Sequence, residues 1–350
     1  MSPMYEASGE LSHSWYAAGL AADFKVGKPR RITIFEIPIV VWRQKDGTWA
    51  AMLDRCNHRN APLSEGQIVD GCIVCPYHGW VYNRAGQCVD IPSEGPNPSR
   101  IPAKRIETFP VCKKYGLVWL WMGRSTPAEG DPFPMPLMQE QGWKHYYMVT
   151  RFANNVTDLV ENFMDVPHTV FVHKGWFRDR KQIRIEATVE RTPDSVLVTY
   201  DQPNDSIGFS NWLVNPKGLA MQHTDNFYMP NVTRVDYLYG DSERGFIITS
   251  TCTPVGPFNT IVYTLITYKF GWLNPLARIF LPPYTRKVIE QDVWIMKVHG
   301  KNQQTFGTPD YKSTQVDFMH VYIESLRAHA AASGDKPAPK PIKKMIEFWV

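Results

Sequence analysis

Residues 55–80 read RCNHRNAPLSEGQIVDGCIVCPYHGW, and no other stretch constrains the chain as tightly. Two cysteines and two histidines, Cys56, His58, Cys75 and His78, stand in two halves, C-x-H and C-x-x-H, with sixteen residues between them. Structural zinc sites usually pair C-x2-4-C with H-x3-5-H or with a second C-x-x-C. Here each half supplies one thiolate and one imidazole. A two-iron cluster with two thiolates on one iron and two imidazoles on the other needs that arrangement, and neutral imidazoles raise its reduction potential.

The flanking sequence is that of an ordinary globular chain with room for two domains, at 350 residues, 43% hydrophobic and 21% charged. A net charge of +4 without a basic stripe gives nucleic-acid binding no support. No run of about 18 apolar residues predicts a transmembrane helix, and the N-terminus lacks a secretory pattern. Six cysteines, four of them within residues 56–88, suit a metal site in a reducing cytosol better than a disulfide scaffold, so the expected location is cytoplasmic. Residues 16–123 alternate short β-branched and aromatic runs with turns such as KDG (45–47) and NRAG (83–86). A Pro/Gly-rich linker follows at 125–142. Beyond it, 154–173 reads as a helix, 182–270 as strands, and 285–303 and 313–331 as two closing helices. The expected fold is α+β: an all-β domain over 1–130, then an antiparallel-sheet domain with flanking helices over 131–350.

The quartet and the HGW that ends it resemble the Rieske [2Fe-2S] proteins. In the respiratory members two further cysteines brace the cluster loops, and the corresponding positions here are Ala61 and Tyr77. Arg59 after the first histidine also looks like the oxygenase subgroup. Cys72 and Cys88 read as small buried residues.

A second signature lies in ENFMDVPHTVFVH, where Asp165, His168 and His173 form D-x-x-H-x4-H. Asp165 and His168 share a helix face, whereas five residues of straight helix turn His173 away from His168. Pro167 disfavours helix at the residue before it, so a break there lets the rings converge. Two histidines and a carboxylate make the facial triad of non-haem Fe(II) oxygenases. Asp292 is the candidate carboxylate, an acid on a stripe with Val288, Ile295, Met296 and His299. Glu290 is the runner-up.

Together the two signatures resemble the oxygenase component of the Rieske non-haem iron oxygenases. The resemblance implies His168, His173 and Asp292 on the mononuclear iron. It implies Asp165 as the bridge to a Rieske histidine, His78, of a neighbouring subunit in a homotrimer. Asn162, one turn before Asp165, is a supporting hydrogen-bond candidate. O2 is the implied cosubstrate. With no GxGxxG after a strand and no flavin signature, NAD(P)H acts only through a separate reductase, with or without a ferredoxin. Length and the D-V-P-H and E-Q-D motifs lean to monooxygenases and demethylases over ring dioxygenases. Phe209, Trp212, Leu213, Phe227, Tyr228, Met229, Tyr237 and Tyr239 suggest a pocket for a bulky, largely apolar substrate, sterol-like or polycyclic; smaller aromatic, methoxyaromatic or N-methyl substrates are the alternative. An electron-transfer protein with a partner-binding second domain is the reading from a different class. Residues 270–284, apolar with Arg278 and Arg286 at the edge, read as a lid, a peripheral membrane patch or a subunit contact. The basic-then-apolar tail KPAPKPIKKMIEFWV reads as a docking segment for a neighbour or the same surface.

Overall fold

The structure is a computed structural model that describes residues 2–95, 105–123, 128–175, 183–201, 215, 218–240, 244–307, 309–333 and 338–350. The chain forms two compact units, Met1–Ala7 with Ser12–Phe133, and Ser8–Leu11 with Pro134–Val350.

In the first unit the short apolar runs form antiparallel strands. β1 (Trp15–Leu20) pairs with β10 (Leu117–Trp121), which pairs with β9 (Val111–Lys114). β2 (Arg30–Ile34), β3 (Ile37–Arg43) and β4 (Trp49–Leu53) form a second sheet. β5 (Gln67–Val69), β6 (Cys72–Val74), β7 (Val81–Tyr82) and β8 (Cys88–Asp90) form a third. Successive side chains of a strand point to opposite faces. β3 therefore feeds two cores: Ile39 and Val41 enter one, and Val40 and Trp42 enter another that also holds Cys56, Leu63, Ile73, Cys75 and Tyr82. Burying each such aliphatic side chain contributes roughly 1.5–3 kcal/mol, so the bases of both Cys/His loops are anchored in packed apolar surface. The expected turns are present. Asp46 accepts from the Thr48 amide at 2.9 Å, and Asn83 accepts from the amides of Ala85 and Gln87, both at 3.0 Å. Gly86 has φ +74°, and a Cβ there would lie 2.1 Å from the Ile106 carbonyl oxygen, so only glycine fits.

The second unit is one eight-stranded antiparallel sheet. β11 (Lys144–Phe152) pairs with β17 (Asn259–Lys269). The sheet then runs back through β16 (Arg244–Gly256), β15 (Val232–Tyr239), β14 (Met221–Tyr228) and β13 (Ser195–Tyr200) to β12 (Arg184–Arg191). Leu159, Val160 and Met164 of the helix Val156–Met164 pack with Val189, Val198 and Phe227 of the sheet, and with Ile323 and Leu326 of the helix Phe318–Ala331.

The 154–173 region is two helices, Val156–Met164 and Thr169–Val172, with the break expected around Pro167. Two other expectations change. The helix foreseen from 285 begins at Asn274 and runs to Phe306, so most of 270–284 is its N-terminal part despite Pro282 and Pro283. The Thr285 hydroxyl donates back to the Leu281 carbonyl at 2.8 Å and to the Pro282 carbonyl at 3.2 Å, the usual way a hydroxyl inside a helix is satisfied. The basic tail is not a free docking segment: Ile342–Trp349 is β18, the antiparallel edge partner of β12. Its lysines suit an edge strand, where charge discourages further pairing. Among the described residues no helix is long and apolar enough to cross a membrane.

Candidate metal centres

The two Cys/His loops close in the same way. In the first, the Cys56 amide donates to the Ala61 carbonyl at 2.9 Å and the Asn60 amide donates to the Cys56 carbonyl at 3.0 Å. In the second, the Cys75 amide donates to the Trp80 carbonyl at 2.8 Å and the Gly79 amide donates to the Cys75 carbonyl at 3.1 Å. Each loop turns back at a left-handed residue, Asn60 (φ 61°) and Gly79 (φ 73°), the residue types that tolerate it. Cys56 and Cys75 are buried, and the rings of His58 and His78 lie 4.5 Å apart. Trp80 stacks on His58 at 4.7 Å and 5°, and Tyr77 lies over His78 at 3.9 Å. The Tyr82 hydroxyl, buried beneath them, contacts Cys56 Sγ at 3.2 Å. Burial, and then Cys56 beside it, push the Tyr82 phenol up, so it stays protonated and can donate to a thiolate. Burial likewise pushes the Cys75 thiol up. A thiol in such surroundings ionises only against a cation.

His58 Nδ1 is buried without a hydrogen-bond partner, the position of an atom meant for a metal. One thiolate and one imidazole from each matched loop suit two bridged irons, with the thiolates on one and the imidazoles on the other.

The second group does fit a single ion. His168, His173 and Asp292 each offer one ligand atom within 4.8 Å of the others. His168 Nε2 and His173 Nε2 are 3.3 Å apart, and they lie 3.5 and 3.3 Å from Asp292 Oδ1. A triangle of that size seats an ion at about 2.0–2.1 Å from each corner. Local sequence makes this possible. Asn155 caps the Val156–Met164 helix by accepting from the Asp158 amide at 2.9 Å. Asp165 ends it in extended conformation, and the short Thr169–Val172 turn redirects His173. Asp292, on the long helix, is buried; burial alone would raise its pKa, but hydrogen bonds and charge from His168 and His173 outweigh that and hold it at about 2. Burial also works against charge on His168, but Asp165 and Asp292 raise its pKa to about 10. Three such groups in one dry place are costly unless a cation replaces the protons.

Asn162 Nδ2 donates to Asp292 Oδ1 at 3.2 Å, so this side chain supports the carboxylate. Asp165 is half-exposed, its carboxylate 3.6 Å from His168 Nδ1, and its carbonyl oxygen accepts from the same nitrogen. Glu290 points away, exposed and 3.8 Å from Lys287. Gln291 went unrecognised in the sequence: its Oε1 lies 2.9 Å from His173 Nδ1. Its signal was its place beside Asp292.

A cavity of about 140 Å³ opens beside the three ligands, between β15–β17 and the long helix. Of the aromatic residues expected to line it, Tyr237 does. Phe227 and Tyr239 are core residues instead, because both faces of β14 and β15 are largely buried and burial alone does not choose a face. Tyr228 and Met229 are half-buried away from the lining, and Phe209, Trp212 and Leu213 lie outside the described residues. Val235, Phe246, Ile248 and Ile266 supply the sheet wall, and Leu281, Tyr284 and Val288 the helix wall.

Fold and sites define a two-centre protein, with a [2Fe-2S] cradle in a small β unit and a two-histidine, one-carboxylate cradle in a larger α+β unit. Residues 14–110 match the Rieske [2Fe-2S] domain, and residues 153–328, half of the chain, match the vanillate O-demethylase oxygenase C-terminal domain. The chain belongs to the Rieske non-haem iron oxygenases, in the form of an oxygenase component; the family's two iron groups, cluster and mononuclear iron, fit the two cradles. Dicamba O-demethylase oxygenase component from Stenotrophomonas maltophilia is 38% identical over 168 residues, 47% of this chain and 48% of that one. The chain thus aligns with about half the length of the first curated relatives it matches. A 4β-methylsterol monooxygenase from Methylococcus capsulatus is 25% identical over 95% of this chain and 94% of its own. Among solved structures, dicamba monooxygenase bound to 3,6-dichlorosalicylic acid superposes with TM-score 0.79 at 21% identity, covering 92% of this chain and 98% of the other. Pseudomonas putida CBB5 NdmA with caffeine superposes with TM-score 0.78 at 20% identity, covering 97% and 98%.

Proposed function

We propose that the chain is the terminal oxygenase of a multicomponent system, hydroxylating or oxidatively demethylating an uncharged, largely apolar substrate. The observation that carries this is the triangle of His168 Nε2, His173 Nε2 and Asp292 Oδ1 opening directly onto an apolar cavity. When bound, the two iron groups supply electron storage and O2 activation. The chain's residues do the rest. The triad occupies one side of the ion and leaves the cavity side open. Apolar walls exclude water and hold a C–H bond of the substrate toward that opening. The balance is one O2, two electrons and two protons per C–H converted to C–OH, with water as the second product; on a methoxy or N-methyl carbon the product releases formaldehyde.

The lining supports the substrate class. Hydroxyls of Thr233, Ser250, Thr264 and Thr285 sit among the aliphatic residues, and among the described residues no lysine or arginine lines the cavity. A buried carboxylate substrate would lack a cationic partner. The volume is close to that of cavities that hold a single benzene ring, which favours a methoxyaromatic, N-methyl or similarly small reacting group. The near full-length similarity to a methylsterol monooxygenase favours a sterol-like substrate whose methyl-bearing end alone enters the cavity.

Electrons come in this reading from a separate reductase, directly or through a ferredoxin. The half-exposed Asp165, tied to His168, is suited to meet His78 of a neighbouring copy in a homotrimer. Trp272, in the turn just before the cavity helix, and Ile279 and Phe280, next to Arg278 on the helix itself, are all exposed, which supports peripheral contact with an anionic membrane. Co-sedimentation with anionic liposomes tests that contact, and equal binding by a W272A/I279A/F280A variant sinks it.

Anaerobic iron quantitation tests the central reading: three irons per chain are expected, and Asp292→Ala should lose one while the cluster spectrum stays. Two irons in the parent chain would favour the electron-transfer alternative. Reductant-driven O2 uptake across methoxyaromatics, N-methyl compounds, sterols and their carboxylated counterparts, with product mass, then separates hydroxylation from demethylation. Preferred turnover of the carboxylates would contradict the uncharged-substrate assignment.

A further inference from the structure

His168 and His173 present Nε2 to the same point, but their outer nitrogens are held differently. His168 Nδ1 faces the Asp165 carbonyl, with the Asp165 carboxylate at 3.6 Å. His173 Nδ1 faces the side-chain oxygen of Gln291 at 2.9 Å. From this contact we propose that Gln291 is a positioning residue for the mononuclear centre, fixing the tautomer and ring plane of His173 through a neutral acceptor. The inference rests on His168, His173 and Asp292 being the metal ligands.

The chemistry runs one way. An imidazole that gives its Nε2 lone pair to a cation carries its proton on Nδ1. A carboxamide oxygen accepts that proton and cannot supply another, so the Gln291 contact is compatible only with the ligating tautomer. The opposite amide orientation would set an N–H against Nδ1, force the proton onto Nε2 and close the ligand atom. Helix geometry explains how one element serves both sides of the ring. Gln291 and Asp292 are consecutive, so their side chains diverge by about 100°. Asp292 meets His173 at Nε2 (3.3 Å) while Gln291 meets it at Nδ1, and the ring is clasped between them. His173 is buried, so water is a poor substitute for the lost acceptor. A neutral acceptor also orients the ring without adding a second buried carboxylate beside Asp292.

Outer partners of ligating histidines typically change metal affinity by about 10- to 100-fold. The test uses the full chain with its cluster intact and its mononuclear iron exchanged for Co(II). Metal affinity is read by competition titration, and the ligand N–H protons by paramagnetically shifted, solvent-exchangeable NMR signals. Gln291→Leu should weaken Co(II) binding within that range and speed solvent exchange of one of the two N–H signals, with an unchanged cluster spectrum as the folding control. Gln291→Glu, which keeps the acceptor, should restore both. Wild-type affinity and exchange in Gln291→Leu, or a Gln291→Glu variant as weak as Gln291→Leu, would overturn the proposal. Asp292→Ala in parallel separates the two levels: if it leaves Co(II) binding intact, the ligand assignment itself fails.

Discussion

The two centres solve the same problem, holding polar metal ligands in apolar surroundings, by different routes. The cluster cradle is made locally: two loops within one small unit, each closed by its own backbone and each turned at a left-handed residue, bring in all four side chains. The mononuclear cradle is assembled from a broken helix and a distant long one, and its ligands are brought together by the packing of both helices on the sheet. The outer contacts differ as well. His58 Nδ1 is buried without a partner and is itself the candidate ligand, whereas His168 and His173 each have the outer nitrogen engaged. A locally closed cradle should tolerate change elsewhere and fail all at once when a ligand goes. An assembled one should weaken by degrees.

The largest effect tests the first half of that contrast. Cys75→Ala should abolish the cluster outright, with loss of its visible absorption and a fall from three irons per chain to one. The buried loop would then hold unpaired imidazoles over an apolar floor, and the unfolding midpoint of the unit should fall with it. A variant retaining two of its cluster irons would show the loops to be less interdependent than their matched closures indicate. Pro167→Ala tests the second half. Restoring an amide and relaxing the constraint on Val166 lets helix run on toward His168, and a continuous helix points the two rings apart. Affinity of the mononuclear site should fall about 10-fold or more, a loss near the 1.4 kcal/mol that a tenfold change represents, while helix content by circular dichroism rises and the cluster spectrum stays unchanged. Undiminished affinity would mean that packing, not proline, holds the break.

The same contrast governs what could be read from sequence. The quartet was legible because its geometry is almost wholly local, and spacing within a loop is spacing in space. The helix break was legible because a straight helix cannot aim both His168 and His173 at one ion, so the proline beside them had a purpose. Asp292 stood out as an acid on an apolar stripe. Gln291 has only its place beside Asp292 to mark it, since a glutamine on a helix does not show what it meets across a tertiary gap. The cavity wall was misjudged for a related reason: β14 and β15 are buried on both faces, and Phe227 looks no different from Tyr237 until the helices are placed. The tail's lysines suggested a docking surface, but β18 is the exposed edge of the sheet, where lysines keep other strands away.

A smaller effect lies beside the assembled centre, where Glu161 on the Val156–Met164 helix is buried against His320. Burial raises the Glu161 pKa from 4.5 to about 7, against the lowering influence of His320, and the hydrogen bond to Glu161 raises His320. Both folded values lie above the unfolded ones, so the folded pair keeps a proton that the unfolded chain gives up. The stability this confers is complete below pH 4.5 and is lost as pH rises, through about 7 for the carboxyl. Glu161→Gln keeps the acceptor for His320 but removes the titration. It should flatten the decline in unfolding midpoint between pH 5 and 8, an effect of about 1–2 kcal/mol. A parent protein whose midpoint rises over that interval would contradict the assignment.

The smallest expected effect returns to the local cradle and asks whether its chemistry is tuned by one buried hydroxyl. Tyr82 contacts Cys56 Sγ at 3.2 Å from within the apolar core, where burial keeps the phenol protonated. A hydrogen bond to a ligating sulfur withdraws charge from it, and the reduced cluster, carrying one more negative charge, gains more from that than the oxidised one. Tyr82→Phe deletes the donor and leaves the ring packed against Ile73 and Leu63. One hydrogen bond of about 1 kcal/mol acting on one redox state corresponds to roughly 40 mV for a one-electron couple, so the reduction potential should fall by that order while iron content and absorption stay those of the parent. Protein-film voltammetry reads this directly. An unchanged potential would mean that the hydroxyl bonds the sulfur equally in both states, and the two centres would then differ in how they are built but not in how their surroundings tune them.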